Sequence, residues 1–234
     1  MKRNILVSIL GLLLLVGCAS TQPTSTETVC DCSKSVQVTD KAFRIFLADN
    51  GFAEKTGWRK MKPTAEGCAL KVLECYEKGI HSLQGIEMFP QLEQVICSDN
   101  PISELNLNAL TKLQKLYALN VPLQKIDLSR CQQLTNLQLS YTHLDSIDLT
   151  PLHELRELLC IFSPIKAVDL SPCPKLNLIY LRATQIKEID IRPCLDLWQL
   201  HSLDTPLQQI IVTPEQYNSN MQVSVEDTVK IIVR

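Results

Sequence analysis

A 21-residue period dominates this chain and restricts its fold more than any other feature. The segment from Ile147 to Pro151 returns 21 residues later as Val168 to Pro172, and the same interval separates six leucines. These leucines are Leu92, Leu113, Leu134, Leu155, Leu176 and Leu197. When each is taken as position 1 of a repeat, positions 4, 11, 14 and 16 are also aliphatic in all six repeats. A fixed period of this length indicates a solenoid of stacked repeats.

The repeats must stack because one repeat alone cannot fold. Its inward aliphatic side chains offset only part of the entropy that is lost when 21 residues become ordered. Neighbouring repeats supply the missing burial and the hydrogen bonds between strands. Leu70, Leu73, Cys75 and Ile80 copy positions 1, 4, 6 and 11, which predicts a seventh repeat at the front, one residue longer than the others.

The repeat resembles that of leucine-rich-repeat proteins. The stretch "LEQVICSDNPI" from Leu92 to Ile102 matches the pattern L-x-x-L-x-L-x-x-N-x-L almost completely. Upstream, "VTDKAFRIFLADNGF" and "KGIHSLQGIEMFPQLEQV" are similar to the N-terminal region of internalin-type bacterial proteins. The resemblance implies an α/β-type repeat solenoid, a horseshoe of about seven repeats with a parallel sheet on its concave face. It also implies a short helical N-terminal cap, and the valine-rich tail predicts a β C-terminal cap.

The first 29 residues predict export and anchoring. Lys2 and Arg3 precede a 12-residue apolar run, which is shorter than the roughly 20 residues of a membrane-spanning helix and is typical of a signal peptide. The run ends in "LVGC", which resembles the lipobox of bacterial lipoproteins and implies lipidation of Cys18. Ala19 after the cysteine implies an outer membrane lipoprotein of a Gram-negative-type envelope. Whether it faces the periplasm or the cell surface stays open.

These features divide the chain into five segments. We expect a lipoprotein signal peptide at 1–17, a polar tether at 18–29, an N-terminal cap region at 30–69, leucine-rich repeats at 70–213 and a C-terminal cap at 214–234. The tether is rich in serine and threonine and is therefore expected to be flexible. The chain has 23 basic and 25 acidic residues, so its charge gives no argument for nucleic-acid binding.

The cysteines after Cys18 fall into three groups. Within the repeats, Cys75, Cys97 and Cys160 are at position 6, and Cys131, Cys173 and Cys194 are at the corner that leads into the next repeat. We expect buried free thiols in both columns, with disulfides Cys75–Cys97 and Cys173–Cys194 as the alternative. Upstream of the array, we expect Cys68 to pair with Cys30 or Cys32, and the sequence does not choose between them.

The sequence contains no recognisable catalytic constellation. All seven glycines lie at or before Gly85, which leaves the array without a phosphate-binding loop or a nucleophile elbow. The four histidines fall in unrelated columns. Aspartates recur at position 15, and a calcium ladder is conceivable there, but a solvated edge with local charge pairing fits better because each repeat offers only one carboxylate. These aspartates are Asp127, Asp148, Asp169 and Asp190. We therefore predict a protein that is not an enzyme and that has no cofactor and no metal.

The turn after each strand departs from the usual repeat. The asparagine of position 9 is present only as Asn100, where it would bond the turn backbone. The later repeats have Val121, Thr142, Ser163, Thr184 and Thr205 at this position. We expect hydroxyl groups to replace the asparagine, with water beside Val121.

The outward positions of the strands predict a binding surface. Because side chains alternate along a strand, positions 5 and 7 face the concave side, and position 8 follows them. Four consecutive repeats carry apolar or aromatic residues there: Tyr117, Leu119, Tyr141, Leu159, Ile161, Phe162 and Tyr180. These seven residues are called the concave patch below. An exposed apolar patch of this kind usually marks a partner site, and tyrosine is a favoured anchor.

The concave patch predicts a binding protein with a protein ligand, held at the membrane only through its lipid. The main alternative is an envelope structural or assembly protein that uses the same face for homo-oligomerisation. The face could also be covered by the protein's own tail.

Overall fold

The structure, a computed structural model, describes residues 30–234. An N-terminal cap comes first, with the elements β1 (Val36–Gln37), α1 (Lys41–Asp49), β2 (Ala53–Gly57), β3 (Lys60–Pro63) and α2 (Ala65–Cys68). Strand β3 lies between β1 and β2 in an antiparallel sheet. Helix α1 begins after Asp40, whose carboxylate accepts a hydrogen bond from the Phe43 N–H at 2.7 Å. Its buried face carries Phe43, Phe46 and Leu47.

The cap joins the repeats through a close backbone contact at Gly85. This glycine has φ of 104° and precedes a short 3₁₀ helix, Ile86–Met88. A Cβ at this position would lie 2.5 Å from the Val38 side chain of the cap. Glycine is therefore required here both for its conformation and for its lack of a side chain.

The repeats form a parallel sheet of eight strands on the concave side. In chain order the remaining strands are β4 (Val72–Glu74), β5 (Gln94–Ile96), β6 (Glu104–Asn106), β7 (Lys115–Tyr117), β8 (Lys125–Asp127), β9 (Asn136–Gln138), β10 (Glu157–Leu159), β11 (Leu178–Tyr180), β12 (Glu188–Asp190), β13 (Gln199–His201), β14 (Gln209–Val212), β15 (Gln222–Ser224) and β16 (Lys230–Val233). The large sheet runs in the order β15-β13-β11-β10-β9-β7-β5-β4. Its register places Leu116 beside Leu137 and Leu137 beside Leu158, so the same repeat position meets in every strand.

Within the six repeats, short strands lie on the other side of the solenoid, except in the two repeats that begin at Leu134 and Leu155. Strand β6 pairs with β8, and β14 pairs with β12 and β16, all in parallel. Between the two sides lies one continuous hydrophobic core, to which positions 1, 4, 11 and 16 contribute buried side chains in all six repeats. At position 14, Ile126, Ile147 and Val168 are only partly buried. The predicted leucine-rich-repeat solenoid with a concave parallel sheet is confirmed.

The C-terminal segment continues the solenoid as one further turn. Helix α3 (Pro214–Tyr217) starts with a capping box formed by Thr213 and Gln216. After it, β15 places Val223 beside Leu200, and β16 places Ile231 beside Ile210. The tail thus covers the last repeat with strands that extend both sheets, which makes eight concave strands in total.

The six cysteines of the repeats are free thiols, and all of them are buried. The alternative of disulfides between adjacent repeats is therefore wrong, and the column cysteines act as small core residues. Among residues 30–234, no helix is long and apolar enough to cross a membrane. The predicted signal peptide and the predicted lipid site at Cys18 lie outside the described residues.

Candidate functional site: the concave patch

Each repeat turns away from its concave strand through a residue with a left-handed backbone. Position 8 has φ between 54° and 58° in seven successive repeats. The residues are Glu77, Asp99, Asn120, Tyr141, Phe162, Ala183 and Asp204. Side-chain alternation along a strand does not reveal this requirement, although Asp99, Asn120 and Asp204 are a signal for it, since aspartate and asparagine are enriched in this conformation.

The structure places every residue of the concave patch outside the hydrophobic core. Five of them, on strands β7, β10 and β11 or directly after β7 and β10, are half-buried. Tyr141 and Phe162 are more exposed, at 51% and 45% of their surface. Their role in binding remains a prediction, because side-chain exposure alone does not identify a ligand.

The two exposed aromatic side chains of the patch stack on each other. The rings of Tyr141 and Phe162 have centroids 4.9 Å apart and an interplanar angle of 21°. The guanidinium of Arg182 lies 5.8 Å from the Phe162 ring, and its Nε donates to Asp204 at 2.7 Å. The position-8 edge of the patch therefore presents a flat apolar surface that ends in a charged pair.

A second stack lies on the strands themselves. Tyr180 on β11 and His201 on β13 stand side by side in the register, and their rings stack at 5.3 Å with an interplanar angle of 11°. His201 was not counted in the predicted patch, but it extends this row by one repeat. It could have been recognised from position 5, which it shares with Tyr117, Leu159 and Tyr180.

The aromatic residues at position 8 cost conformational energy. A left-handed backbone costs an ordinary L-residue about 1–2 kcal/mol, and asparagine, aspartate and glycine occupy it more readily. Tyr141 and Phe162 therefore hold positions for which the neighbouring repeats use Asn120 and Asp99. Backbone strain of this kind tends to collect at functional sites, which makes these two residues the strongest candidates in the patch.

Two serines at position 7 contribute little to the exposed concave surface. Ser98 and Ser140, at position 7, are 9% and 1% exposed. Their hydroxyls accept hydrogen bonds from the backbone N–H of Leu119 and Ile161, at 3.0 and 3.1 Å. These two serines therefore add little to the exposed concave surface, because their short side chains are covered and their hydroxyls bond the backbone of the next repeat.

Polar side chains hold the turns as the sequence predicts. Asn100 is 2% exposed; its Oδ1 accepts from the Ile80 N–H at 3.0 Å and its Nδ2 donates to the Cys75 carbonyl at 2.7 Å. In later repeats Thr142 and Thr184 donate at 3.0 and 2.8 Å to the carbonyls of the residues that directly follow β9 and β11. The concave patch is thus supported by turns whose buried hydroxyls are satisfied.

The aspartate column at position 15 closes local turns. Asp127, Asp148 and Asp169 each accept a hydrogen bond from the backbone N–H two residues later, at 3.0, 2.9 and 2.9 Å. The pKa of all three carboxyls is lowered, mainly by the side-chain hydrogen bond of Thr150 in Asp148 and by the backbone hydrogen bonds of Ser129 and Ser171 in the other two. In Asp190, hydrogen bonds from the Arg192 side chain are the main cause of the lowered pKa. The column is a set of turn-forming residues rather than a ladder of free carboxylates.

The described residues bring few reactive groups together. His153 Nδ1 lies 3.0 Å from the Pro172 carbonyl, whereas His81 lies beside Asp40 in the cap and His201 stacks on Tyr180. In residues 30–234, the only group of three side chains placed closely enough to share a metal ion is Cys30, Cys32 and Cys68. The histidines do not form a site.

Solved structures with the same fold are leucine-rich-repeat proteins. An internalin from Listeria monocytogenes, InlF, superimposes with a TM-score of 0.53 at 20% sequence identity, over 83% of this chain and 71% of that one. The plant peptide hormone receptor RGFR1, solved in complex with RGF2, has a TM-score of 0.51 at 19% identity, over 69% of this chain and 29% of the receptor chain. No protein-family model and no curated protein matches the sequence. The likeness shows a leucine-rich-repeat fold.

Proposed function

We propose that this chain is a lipid-anchored binding protein of the bacterial envelope that recognises another protein through its concave patch. The observation that carries the proposal is the pair Tyr141 and Phe162. Two consecutive repeats place exposed, stacked aromatic rings at a backbone position where the repeats on both sides have asparagine, aspartate or alanine. A fold selected for stability alone would favour asparagine at both positions.

The chemistry of the patch fits a protein ligand better than a nucleic acid or a small molecule. Tyrosine and other aromatic residues supply rigid contact area at protein interfaces, and arginine is also enriched there. Here the aromatic stack is flanked by Arg182, whose pairing with Asp204 keeps it at the edge of the patch. The RGFR1 complex is one case of a leucine-rich-repeat receptor with a peptide ligand, and it supports the proposal by analogy only.

Homo-oligomerisation is the alternative use of the same face. A second copy of this chain would bury the same aromatic residues, so the exposed patch by itself does not distinguish the two uses. The masses of the complexes distinguish the two uses, because a self-assembly contains one kind of chain and a receptor complex contains two.

Copurification from envelope membranes tests the proposal. We expect the tagged full-length protein, solubilised in mild detergent, to retain a partner protein in a fixed ratio, and we expect Tyr141→Asn with Phe162→Asn to lose it. A matched control is Trp198→Ala with Tyr217→Ala, which removes aromatic residues of similar exposure outside the patch, 52% and 57%, and should retain the partner. Equal retention by both variants, or a complex that contains this chain alone, would contradict the proposal.

The membrane anchor requires its own test. If Cys18 carries the lipid, Cys18→Ser should leave the precursor unprocessed and should abolish labelling by a palmitate analogue in growing cells. Normal labelling of this variant would contradict lipid attachment at Cys18 while leaving the proposal for the concave patch intact.

A further inference from the structure

Three cysteines meet in the N-terminal cap, far in sequence from the concave patch. Cys30 and Cys32 flank Asp31 ahead of β1, and Cys68 is the last residue of α2. Their three sulfur atoms lie within 4.8 Å of one another. Cys68 lies within bonding reach of both partners, with Cα separations of 5.4 Å to Cys30 and 6.4 Å to Cys32. Both separations fall in the usual range for a disulfide.

The cluster holds one sulfur too many for complete pairing. A sulfur atom takes part in only one disulfide, so whichever partner Cys68 has, the third cysteine remains a thiol beside a disulfide. An unpaired cysteine in an exported protein points to a reactive thiol or to an intermolecular bond. Because both Cα separations already suit a disulfide, neither pairing requires the cap to rearrange.

We propose that Cys30, Cys32 and Cys68 form a thiol–disulfide exchange centre in which Cys68 alternates between two partners. The thiolate of Cys30 attacks Cys68 Sγ, the bond between Cys68 and Cys32 breaks, and its electron pair leaves with Cys32 Sγ. Cys32 then takes up a proton equivalent to the one that Cys30 lost. The number of disulfides does not change, so the step needs no oxidant or reductant.

Cys30 lies where the start of the cap meets the repeat array. Its Sγ is 3.4 Å from the backbone carbonyl of Met88. Met88 ends the 3₁₀ helix that joins the cap to the repeats. Exchange at Cys30 therefore takes place at the junction between the cap and the repeats.

The spare thiol of the centre is also the place where an external disulfide would react. Attack by its thiolate on a low-molecular-weight disulfide R–S–S–R forms a mixed disulfide with the protein and releases R–S⁻. The thiols of the repeats are unsuited to this reaction, since burial raises the pKa of Cys75, Cys131 and Cys160 to about 12 and that of Cys173 to about 11. By contrast Cys30 and Cys68 are half-buried at the surface of the cap.

A bound metal ion is the competing use of three adjacent thiols. A structural zinc ion takes four ligands in a tetrahedral arrangement, and the cluster found in residues 30–234 supplies only three. Metal binding would require all three cysteines to be reduced at once, whereas exchange requires one disulfide. The two uses therefore predict different numbers of free thiols.

Disulfide mapping of the full-length protein tests the proposal. The protein is purified without reductant, quenched with acid, alkylated with N-ethylmaleimide, and digested with trypsin and a protease that cleaves before aspartate. Cleavage before Asp31 separates Cys30 from Cys32, so mass spectrometry reads both linkages directly. We expect Cys30–Cys68 and Cys32–Cys68 in the same sample, each with the remaining cysteine alkylated.

Variants and a chemical probe complete the test. Cys30→Ser and Cys32→Ser should each form one linkage to Cys68 completely and should take up no glutathione from glutathione disulfide, whereas the wild type should take up one equivalent. Cys131→Ser, which removes a buried repeat thiol, should behave as the wild type does. A single linkage with an inert third thiol would overturn the proposal. So would three free thiols that hold one zinc ion per chain.

Discussion

Replacing the strained aromatic residues should leave the fold intact or stabilise it. The double variant Tyr141→Asn with Phe162→Asn places asparagine at both positions. Asn120 already occupies the same turn in a neighbouring repeat. Relief of the left-handed strain should contribute about 1 kcal/mol per site. Loss of the ring stack should cost about 0.5–1.5 kcal/mol, and loss of the Arg182 contact about 0.5 kcal/mol. The free energy of unfolding should therefore change by less than about 1 kcal/mol.

Urea denaturation of the wild type and the variants measures this balance. Two control variants give values for comparison. Asn120→Tyr introduces the same strain in a neighbouring repeat and should lower the free energy of unfolding by about 1–2 kcal/mol. The buried Leu137 lies beside Leu158 in the core, and Leu137→Ala should lose about 2–5 kcal/mol. A loss of more than about 2 kcal/mol in the double asparagine variant would refute the reasoning. It would mean that the rings are covered by the protein's own chain and support the fold.

Two other predictions follow from the ends and the edge of the solenoid. Deletion of residues 221–234 removes the strands that cover the last repeat, so we expect aggregation or loss of cooperative melting, and a stable monomeric truncation would show that they are no cap. The lowered pKa values of Asp127, Asp148 and Asp169 mean that their turn hydrogen bonds stabilise the fold fully above about pH 4 and less as the pH falls through those values. The melting temperature should fall between pH 5 and pH 3, and asparagine at all three positions should make this fall smaller. Asp196→Asn, an exposed control, should leave the fall as it is in the wild type. An equal fall in the triple variant and the wild type would contradict the role of these aspartates.

The period of the sequence was sufficient to predict the repeats. Leucine and isoleucine at fixed positions specify which side of each strand is buried, and the 21-residue spacing specifies the register, as the pairing of Leu137 with Leu158 shows. The tail was harder to place, since helix α3 lengthens the last turn and Val223 lies 23 residues after its partner Leu200. The eighth concave strand is therefore invisible to a search with a constant period.

The parts of the site that the sequence did not predict depend on backbone conformation. Alternation along a strand places Tyr117 and Leu159 on the concave side, but it says nothing about a residue that follows the strand in a left-handed turn. The buried serines Ser98 and Ser140 illustrate a related limit, because their burial goes with hydrogen bonds to the backbone of the next repeat, which alternation does not predict. The strain at Tyr141 and Phe162 becomes visible only when φ is known at every repeat.

Site-specific photocrosslinking in intact cells tests the central claim most directly. A photoreactive phenylalanine analogue is placed at Tyr141 in the full-length protein, and in a separate variant at Tyr217, an exposed aromatic residue outside the patch. We expect a covalent adduct of the Tyr141 variant with one other protein, and no such adduct of the Tyr217 variant. An adduct only between copies of this chain, or crosslinking at Tyr217 and not at Tyr141, would contradict the claim that the concave patch binds a protein partner.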